Sequence, residues 1–520
     1  MTSISPERDA PRLGRVAAAA LFVAAALALL PFADLQVTGH DPWRQLALMA
    51  AGLLSPDFSA VSALANAAVL TVAFAVCGVA AGAAAGFLLA PFYRHRAVRL
   101  VCVAARSIHE LFWALLLLQI TGLSATTGIL AIAIPYSGIF AKVFSEYLDE
   151  ADPRPAAAMP PRADRVSVHA FARLPLARRE FLTYLLYRME CGLRSSAVFG
   201  FVGLPTLGYS LDIVFRQGQY GAVAAVLILY YVLIATLRWW MRPWLAPVYL
   251  IGAVAVMASL AAPPMADGAL VRFLTQDIVP APLRNGDLAQ IETWASFWHW
   301  LKTLLLHQAL PGLTATLIVA QLALVTAGIV ALLAVPLIVR QVFGRLGAAL
   351  GHLGLVVGRS TPEYMLAYLA LQILGPSMLP AIIALGLHNG AIIAHLLGRQ
   401  SVHLIPALRA DAPRGFVLYA YELLPRLYGS FLALCLYRWE IIVRESAIVG
   451  VLGIATLGFF VDRAIQEIRI DRAVVLLLAT LLVTVAIDAL SRRLRAAIGL
   501  RRLKTLPPEP IGGGPRGRVG

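Results

Sequence analysis

Five ionisable residues interrupt apolar sequence in each half of this chain, in matched sets. Arg106 and Glu110 are followed by Arg188, Glu190 and Arg194; Arg359 and Glu363 are followed by Arg438, Glu440 and Arg444. Arg106 and Glu110, Glu190 and Arg194, and their counterparts stand four apart, which puts each pair on one helix face. An ionisable group at membrane depth costs at least ~2.5–3.5 kcal/mol, so such groups pair, face a bundle interior or line a wet cavity. Three chemistries follow. The pairs can be structural girders. The surplus arginine of the repeated Y-R-x-E-x-x-x-R pattern can give a cavity positive potential for an anion, because guanidinium matches phosphate-type oxygens bidentately. Glu110, Glu190, Glu363 and Glu440 can be the proton relays of a carrier. Arg106 and Arg359, if close to the inner interface, snorkel to it instead.

The elements that position these groups are membrane helices. The 520 residues are 60% apolar and 14% charged with mean hydropathy +0.78, against roughly 45–50% and about 25% in soluble domains. Apolar runs of bilayer-spanning length recur near 14–33, 64–92, 98–121, 124–146, 179–204, 220–240, 244–262, 311–340, 346–374, 378–398, 427–455 and 472–491, which predicts an all-α polytopic membrane protein of about twelve transmembrane helices. Arg8, Arg12 and Arg15 precede the first run, and Pro31-Phe32-Ala33-Asp34 makes a poor leader-cleavage site, so that run reads as a span. The net charge of +15 collects between the spans and fits positive-inside topology with both termini cytoplasmic, rather than nucleic-acid binding. Residues 34–63 and 263–310 then lie along the outer face, the second with an interfacial belt of Trp294, Trp298 and Trp300.

The chain is written twice. Residues 186–208, LYRMECGLRSSAVFGFVGLPTLG, align without a gap with 436–458, LYRWEIIVRESAIVGVLGIATLG, and 12 of 23 positions match. An earlier block, Arg106-Ser107 with Glu110, Gln119, Ile120 and Gly122, recurs as Arg359-Ser360 with Glu363, Gln372, Ile373 and Gly375, at an offset of 253 instead of 250. The expected organisation is a first six-helix repeat over 1–243, a second over 244–495 and a disordered basic cytoplasmic tail over 496–520. Six helices per half make the repeats parallel and pseudo-symmetric, with the interface between them a natural pathway.

Several chemistries are absent from the sequence. With lysine only at 142, 302 and 504, no G-x-x-x-x-G-K-[ST] phosphate loop can be written. Cys77, Cys102, Cys191 and Cys435 are isolated core residues, and His109-Glu110 lacks the second histidine of H-E-x-x-H. These patterns suggest no metal and no catalytic residue. Gly200, Gly203 and Gly208, echoed by Gly450, Gly453 and Gly458, suit close helix packing or a turn. Two long basic loops, 147–178 and 399–426, end in Leu174-Pro175 and Leu424-Pro425, and their recurrence favours docking of a partner.

The stretch RSIHELFWALLLLQITGLSATTGILAIAIPYSGIFAKVFSEYLDEADPRP, then Leu-Pro and Y-R-x-E-x-x-x-R-S-x-x-x-G-x-x-G, resembles the phosphonate permease of ATP-binding-cassette importers. RSTPEYMLAYLALQILG and YRWEIIVRESAIVGVLGIATLG carry the pattern into the second half, as two such permeases fused in one chain. The resemblance implies a bacterial inner-membrane channel subunit without enzyme activity. A periplasmic phosphonate-binding protein would deliver a phosphonate or related phosphorus oxyanion. Two cytoplasmic ATPase subunits would bind the ATP and magnesium, with no cofactor on this chain. Importers of phosphate, phosphite or another small anion share the pattern, and the reading from another class is a stand-alone channel or proton-coupled carrier. Coupling to the ATPases would fall on Ala156, Ala157, Ala158, Arg162 and Pro175, and on Ala407, Leu408, Arg409, Ala410 and Pro425. Both loops depart from the family by lacking its Glu-Ala-Ala glutamate and the glycine that follows.

Overall fold

The computed structural model describes residues 14–499 apart from 40, 60–62, 161, 165–166, 262, 264, 266 and 409–410. The chain is an all-α polytopic membrane protein, with no strand among the described residues. Seven helices of the first half recur in order in the second. They are α1 (Leu64–Leu89), α2 (Arg96–Ser107), α3 (Glu110–Thr121), α4 (Ala125–Glu150), α5 (Leu174–Val198), α6 (Leu207–Arg216) and α7 (Tyr220–Ala235). Their counterparts are α8 (Leu310–Ala334), α9 (Arg340–Ser360), α10 (Glu363–Leu374), α11 (Met378–Leu404), α12 (Leu424–Ile448), α13 (Leu457–Gln466) and α14 (Ile470–Ala497). The expected tail over 496–520 lies almost wholly outside the described residues.

Length and hydropathy return six spans among the described residues, or nine when each bent helix pair counts as one. Tyr220–Ala235, Pro243–Ser259 and Glu363–Leu374 are shorter apolar helices. The expectation of about twelve treated every apolar run as straight, and several are not. The run over 98–121 is two helices, α2 and α3, bent by 95° at extended Ile108 and His109, where the His109 ring accepts the Leu111 N–H at 3.2 Å and caps α3. The run over 346–374 breaks at Thr361, which precedes Pro362 and takes the extended conformation that a following proline favours. Helix α5 begins at Leu174 rather than near 179, and it bends by 47° into α6, as α12 bends by 45° into α13.

Each half is closed by the same buried hydrogen bonds. Thr71 Oγ1 on α1 accepts the Leu207 N–H at 2.9 Å, and Thr316 Oγ1 on α8 accepts the Leu457 N–H at 3.0 Å. A helix start in hydrocarbon has orphan N–H groups, and each threonine satisfies one. Helix α1 meets α4 through Gly78, Gly82 and Gly86; a Cβ on Gly78 would stand 2.7 Å from Ile132 Cβ, and one on Gly82 2.8 Å from Tyr136 Cβ. In the second half the glycines change sides: Gly386 and Gly390 lie on α11, against Thr326 and Val330 of α8. Lipid tails provide no hydrophobic drive between helices, so close approach over small residues supplies the packing energy.

By packing, the chain falls into two compact units. Among the described residues one comprises 14–42, Leu301–Val461 and 478–499. Within it the N-terminal helix Arg15–Leu29 lies on α8, where Gln321 Nε2 donates to the Phe22 carbonyl at 2.9 Å and Phe22 meets Trp439 edge-on at 5.1 Å. The other comprises Trp43–Trp300 with Asp462–Leu477, and within it the helix Ala246–Ser259 lies on α1. The leading helix of each repeat thus packs in the unit that holds the core of the other.

Replacing Gly82 with valine should force α1 away from α4, an overpacking cost of about 1–3 kcal/mol. Thermal unfolding in detergent measures it, and an unchanged midpoint would show that the seam does not carry the packing.

Candidate functional site

Each unit contains one buried polar cluster, and the same four helix positions build both. In the first half Glu110 opens α3 just past the bend. Ser195 Oγ on α5 donates a short hydrogen bond to Glu110 Oε1, and Tyr136 OH on α4 lies 3.4 Å from Ser195 Oγ. The His109 ring stands over the other carboxylate oxygen, Nε2 to Oε2 3.3 Å. Because Nδ1 already accepts a backbone N–H, the proton of the neutral ring belongs on Nε2, facing the carboxylate.

Arg188 lies on the same stripe of α5 as Ser195, about two turns earlier. Its Nε donates to Tyr184 OH at 2.9 Å. Its guanidinium carbon lies 5.5, 5.4 and 5.8 Å from the ring centres of Tyr136, Tyr184 and Tyr187. Among the described residues no carboxylate forms an ion pair with it. Three ring faces stabilise the charge, each by about 0.5–2 kcal/mol, without neutralising it.

In the second half Glu363 opens α10, and His388 and Asn389 lie on α11 at 1% and 0% exposure. Asn389 Nδ2 donates to Glu445 Oε2 of α12 at 2.9 Å, and Arg438 Nη1 donates to Asn389 Oδ1 at 3.3 Å. His388 Nε2 lies 3.7 Å from Glu363 Oε2. No carboxylate forms an ion pair with Arg438 among the described residues. The repeat offsets equate Glu110 with Glu363, Arg188 with Arg438, Tyr136 with Asn389, Ser195 with Glu445 and Pro135 with His388. The imidazole thus reaches the matching glutamate from α3 in one half and from α11 in the other.

The remaining residues singled out by sequence occupy the following places. Arg106 and Arg359 close α2 and α9 in their last turns, where a cation complements the helix dipole. Glu190 and Arg194, like Glu440 and Arg444, belong to a different stripe of their helix from Arg188 and Arg438, though Arg194 Nη2 reaches Cys191 Sγ at 3.4 Å. All six take part in polar or electrostatic interactions. Gly203 and Gly453 are left-handed, φ 97° and 92°, at the ends of short 3-10 turns that follow α5 and α12. Gly200 and Gly450 abut the backbone of Gly208 and Gly458 so closely that a Cβ would overlap it.

In the loops, Ala156 and Ala157 end a single helical turn capped by Ala158, and Arg162 follows in a turn. Ala407 ends a short 3-10 turn capped by Leu408, while Arg409 and Ala410 lie outside the described residues. Pro175 and Pro425 occupy the first turns of α5 and α12, each after a π-helical turn.

Sequence reasoning overlooked Tyr136, Tyr184, Ser195, His388, Asn389 and Glu445. A signal for the last was present: within the 186–208 and 436–458 alignment, Ser195 stands opposite a glutamate.

The fold and site are those of an all-helical, internally repeated membrane protein in which each half holds one half-buried guanidinium among neutral partners. The chain is 24% identical over 427 residues, 77% of each chain, to the phosphate-import permease protein PhnE of Mycolicibacterium smegmatis. It is 29% identical over 194 residues, 35% of this chain and 70% of the relative, to the phosphite transport system permease protein PtxC of Stutzerimonas stutzeri. The resemblance read from the sequence is thereby borne out: this chain is a homologue of phosphorus-oxyanion transport permeases, and a two-copy fusion fits its length. No family model matches it, and no solved structure matches it.

Tyr184→Leu should destabilise the first half by about 1–3 kcal/mol through loss of a ring face and a hydrogen bond to a cation, and Tyr184→Phe by less. Equal unfolding midpoints for both variants and the parent would contradict the cage.

Proposed function

We propose that this chain is the permease subunit of an importer for phosphonate or a closely related phosphorus oxyanion, and that Arg188 and Arg438 draw the anion into the pathway. One observation carries the reading: at matching positions in both halves a guanidinium is held by neutral groups, tyrosines in one case and an asparagine in the other. A half-buried cation without a carboxylate partner is stabilised by a passing anion, and its remaining N–H donors suit bidentate contact with phosphorus oxygens. The names of the relatives point to phosphate and phosphite, which makes these the nearest alternatives to phosphonate.

Partners follow from the same reading. A periplasmic binding protein delivers the anion, and two separate ATPase subunits, which carry the ATP and magnesium, dock on the loops before Pro175 and Pro425. Their closure shifts the population between inward-open and outward-open states of the permease. The membrane is the bacterial inner membrane, with both chain termini cytoplasmic.

Uptake of a labelled phosphonate, in cells lacking this gene and with it restored, tests the substrate when excess unlabelled phosphate is present. Gene-dependent uptake that resists phosphate is expected, and uptake abolished by phosphate would transfer the assignment to phosphate itself. Arg188→Gln combined with Arg438→Gln should lower uptake at least about tenfold, the effect of about 1.4 kcal/mol, at unchanged membrane abundance. Unchanged uptake would remove the guanidiniums from the pathway. Co-purification of a P-loop ATPase is expected, and transport without one would favour the proton-coupled carrier.

A further inference from the structure

We infer that Glu363, His388 and Glu445 form a divalent-metal site, best suited to zinc, which the second half has and the first half lacks. The inference is independent of what the permease carries. One donor atom from each residue, drawn from α10, α11 and α12, lies within 4.8 Å of the other two. The His388 Nε2 to Glu363 Oε2 separation is 3.7 Å. Tetrahedral zinc with bonds of about 2.0–2.2 Å sets neighbouring donors roughly 3.3–3.5 Å apart, so side-chain rotation alone can close the set. Two carboxylates and an imidazole, with an open fourth position, are a ligand set zinc accepts.

Charge and support agree with that assignment. Two carboxylates neutralise a dication completely, which leaves a site with no net charge from metal and ligands in a low-dielectric setting. Asn389, fully buried, holds Glu445 Oε2 and is itself held by Arg438, the kind of outer contact that orients a ligating carboxylate. The frame does not need these ligands. At the positions of His388 and Glu445 the first half carries Pro135 and Ser195, and there the matching glutamate is served by a hydroxyl and by His109. The second half thus replaces a neutral hydrogen-bond donor with a second carboxylate and brings its imidazole from α11 rather than from the start of α3. A bound metal would staple three helices in that half.

The test is metal uptake by the purified full chain in detergent, stripped with a chelator and then titrated with Zn2+ or with Co2+ as a spectroscopic probe. One equivalent per chain and tetrahedral Co2+ absorption bands are expected. Glu445→Ser, which installs the residue of the first half, and His388→Ala should each lower uptake at least tenfold, while Ser195→Ala in the first half retains the full equivalent. If Glu445→Ser fails to fold by thermal unfolding, Glu445→Gln keeps the volume and the Asn389 hydrogen bond and takes its place. A stripped parent chain that takes up no stoichiometric metal overturns the site. So does full uptake by both the Glu445 and the His388 variants.

Discussion

Charge in hydrocarbon is expensive, at least about 2.5–3.5 kcal/mol for each ionised side chain at the middle of a helix, and both halves of this chain carry ionisable residues at matching places. The surrounding architecture answers that cost. Helices α3 and α10 begin in mid-structure, so that Glu110 and Glu363 stand at helix N-termini, where a carboxylate complements the dipole. Helices α5 and α12 present Arg188 and Arg438 toward tyrosine and asparagine, which hold a guanidinium in place without cancelling its charge. A frame that only needed stability would have paired these cations with carboxylates or omitted them.

Satisfaction of backbone polar groups shapes the rest. Two helix breaks per half would leave unpaired N–H groups in lipid unless side chains supply acceptors. His109 does so at the start of α3, and Thr71 and Thr316 do so at Leu207 and Leu457. The pairs α1 with α4 and α8 with α11 pack closely over glycine. The glycines may sit on either partner of the pair, as the exchange from α1 to α11 demonstrates, because the requirement is for a short distance and not for a particular helix.

Fusion in one chain removes the requirement that the two repeats be identical, and the clusters show where they have separated. The glutamate and the arginine recur. The groups around them change chemical type: tyrosine to asparagine, serine to glutamate, proline to histidine. The first half ends with one carboxylate beside a tyrosine cage around a cation, the second with two carboxylates, and each keeps an imidazole against its glutamate. Identical subunits assembled as a pair could not divide chemistry in this way.

Composition alone placed the chain in a membrane, because no soluble core uses so many apolar residues with so few charges. The repeat offsets alone paired Glu110 with Glu363 and Arg188 with Arg438, since matched residues in a duplicated sequence occupy matched places. Hydropathy could not see the bends at His109 and Thr361, because it sums apolarity along a run and is blind to backbone direction. Nor could sequence assemble the clusters: Ser195 lies 85 residues from Glu110, and Glu445 lies 56 from Asn389. Which side chains meet across such separations depends on how the helices rotate about their axes, and that rotation is fixed by glycine seams and buried hydrogen bonds between helices. The same packing carried the helix Arg15–Leu29 onto α8, a placement that chain order by itself does not specify.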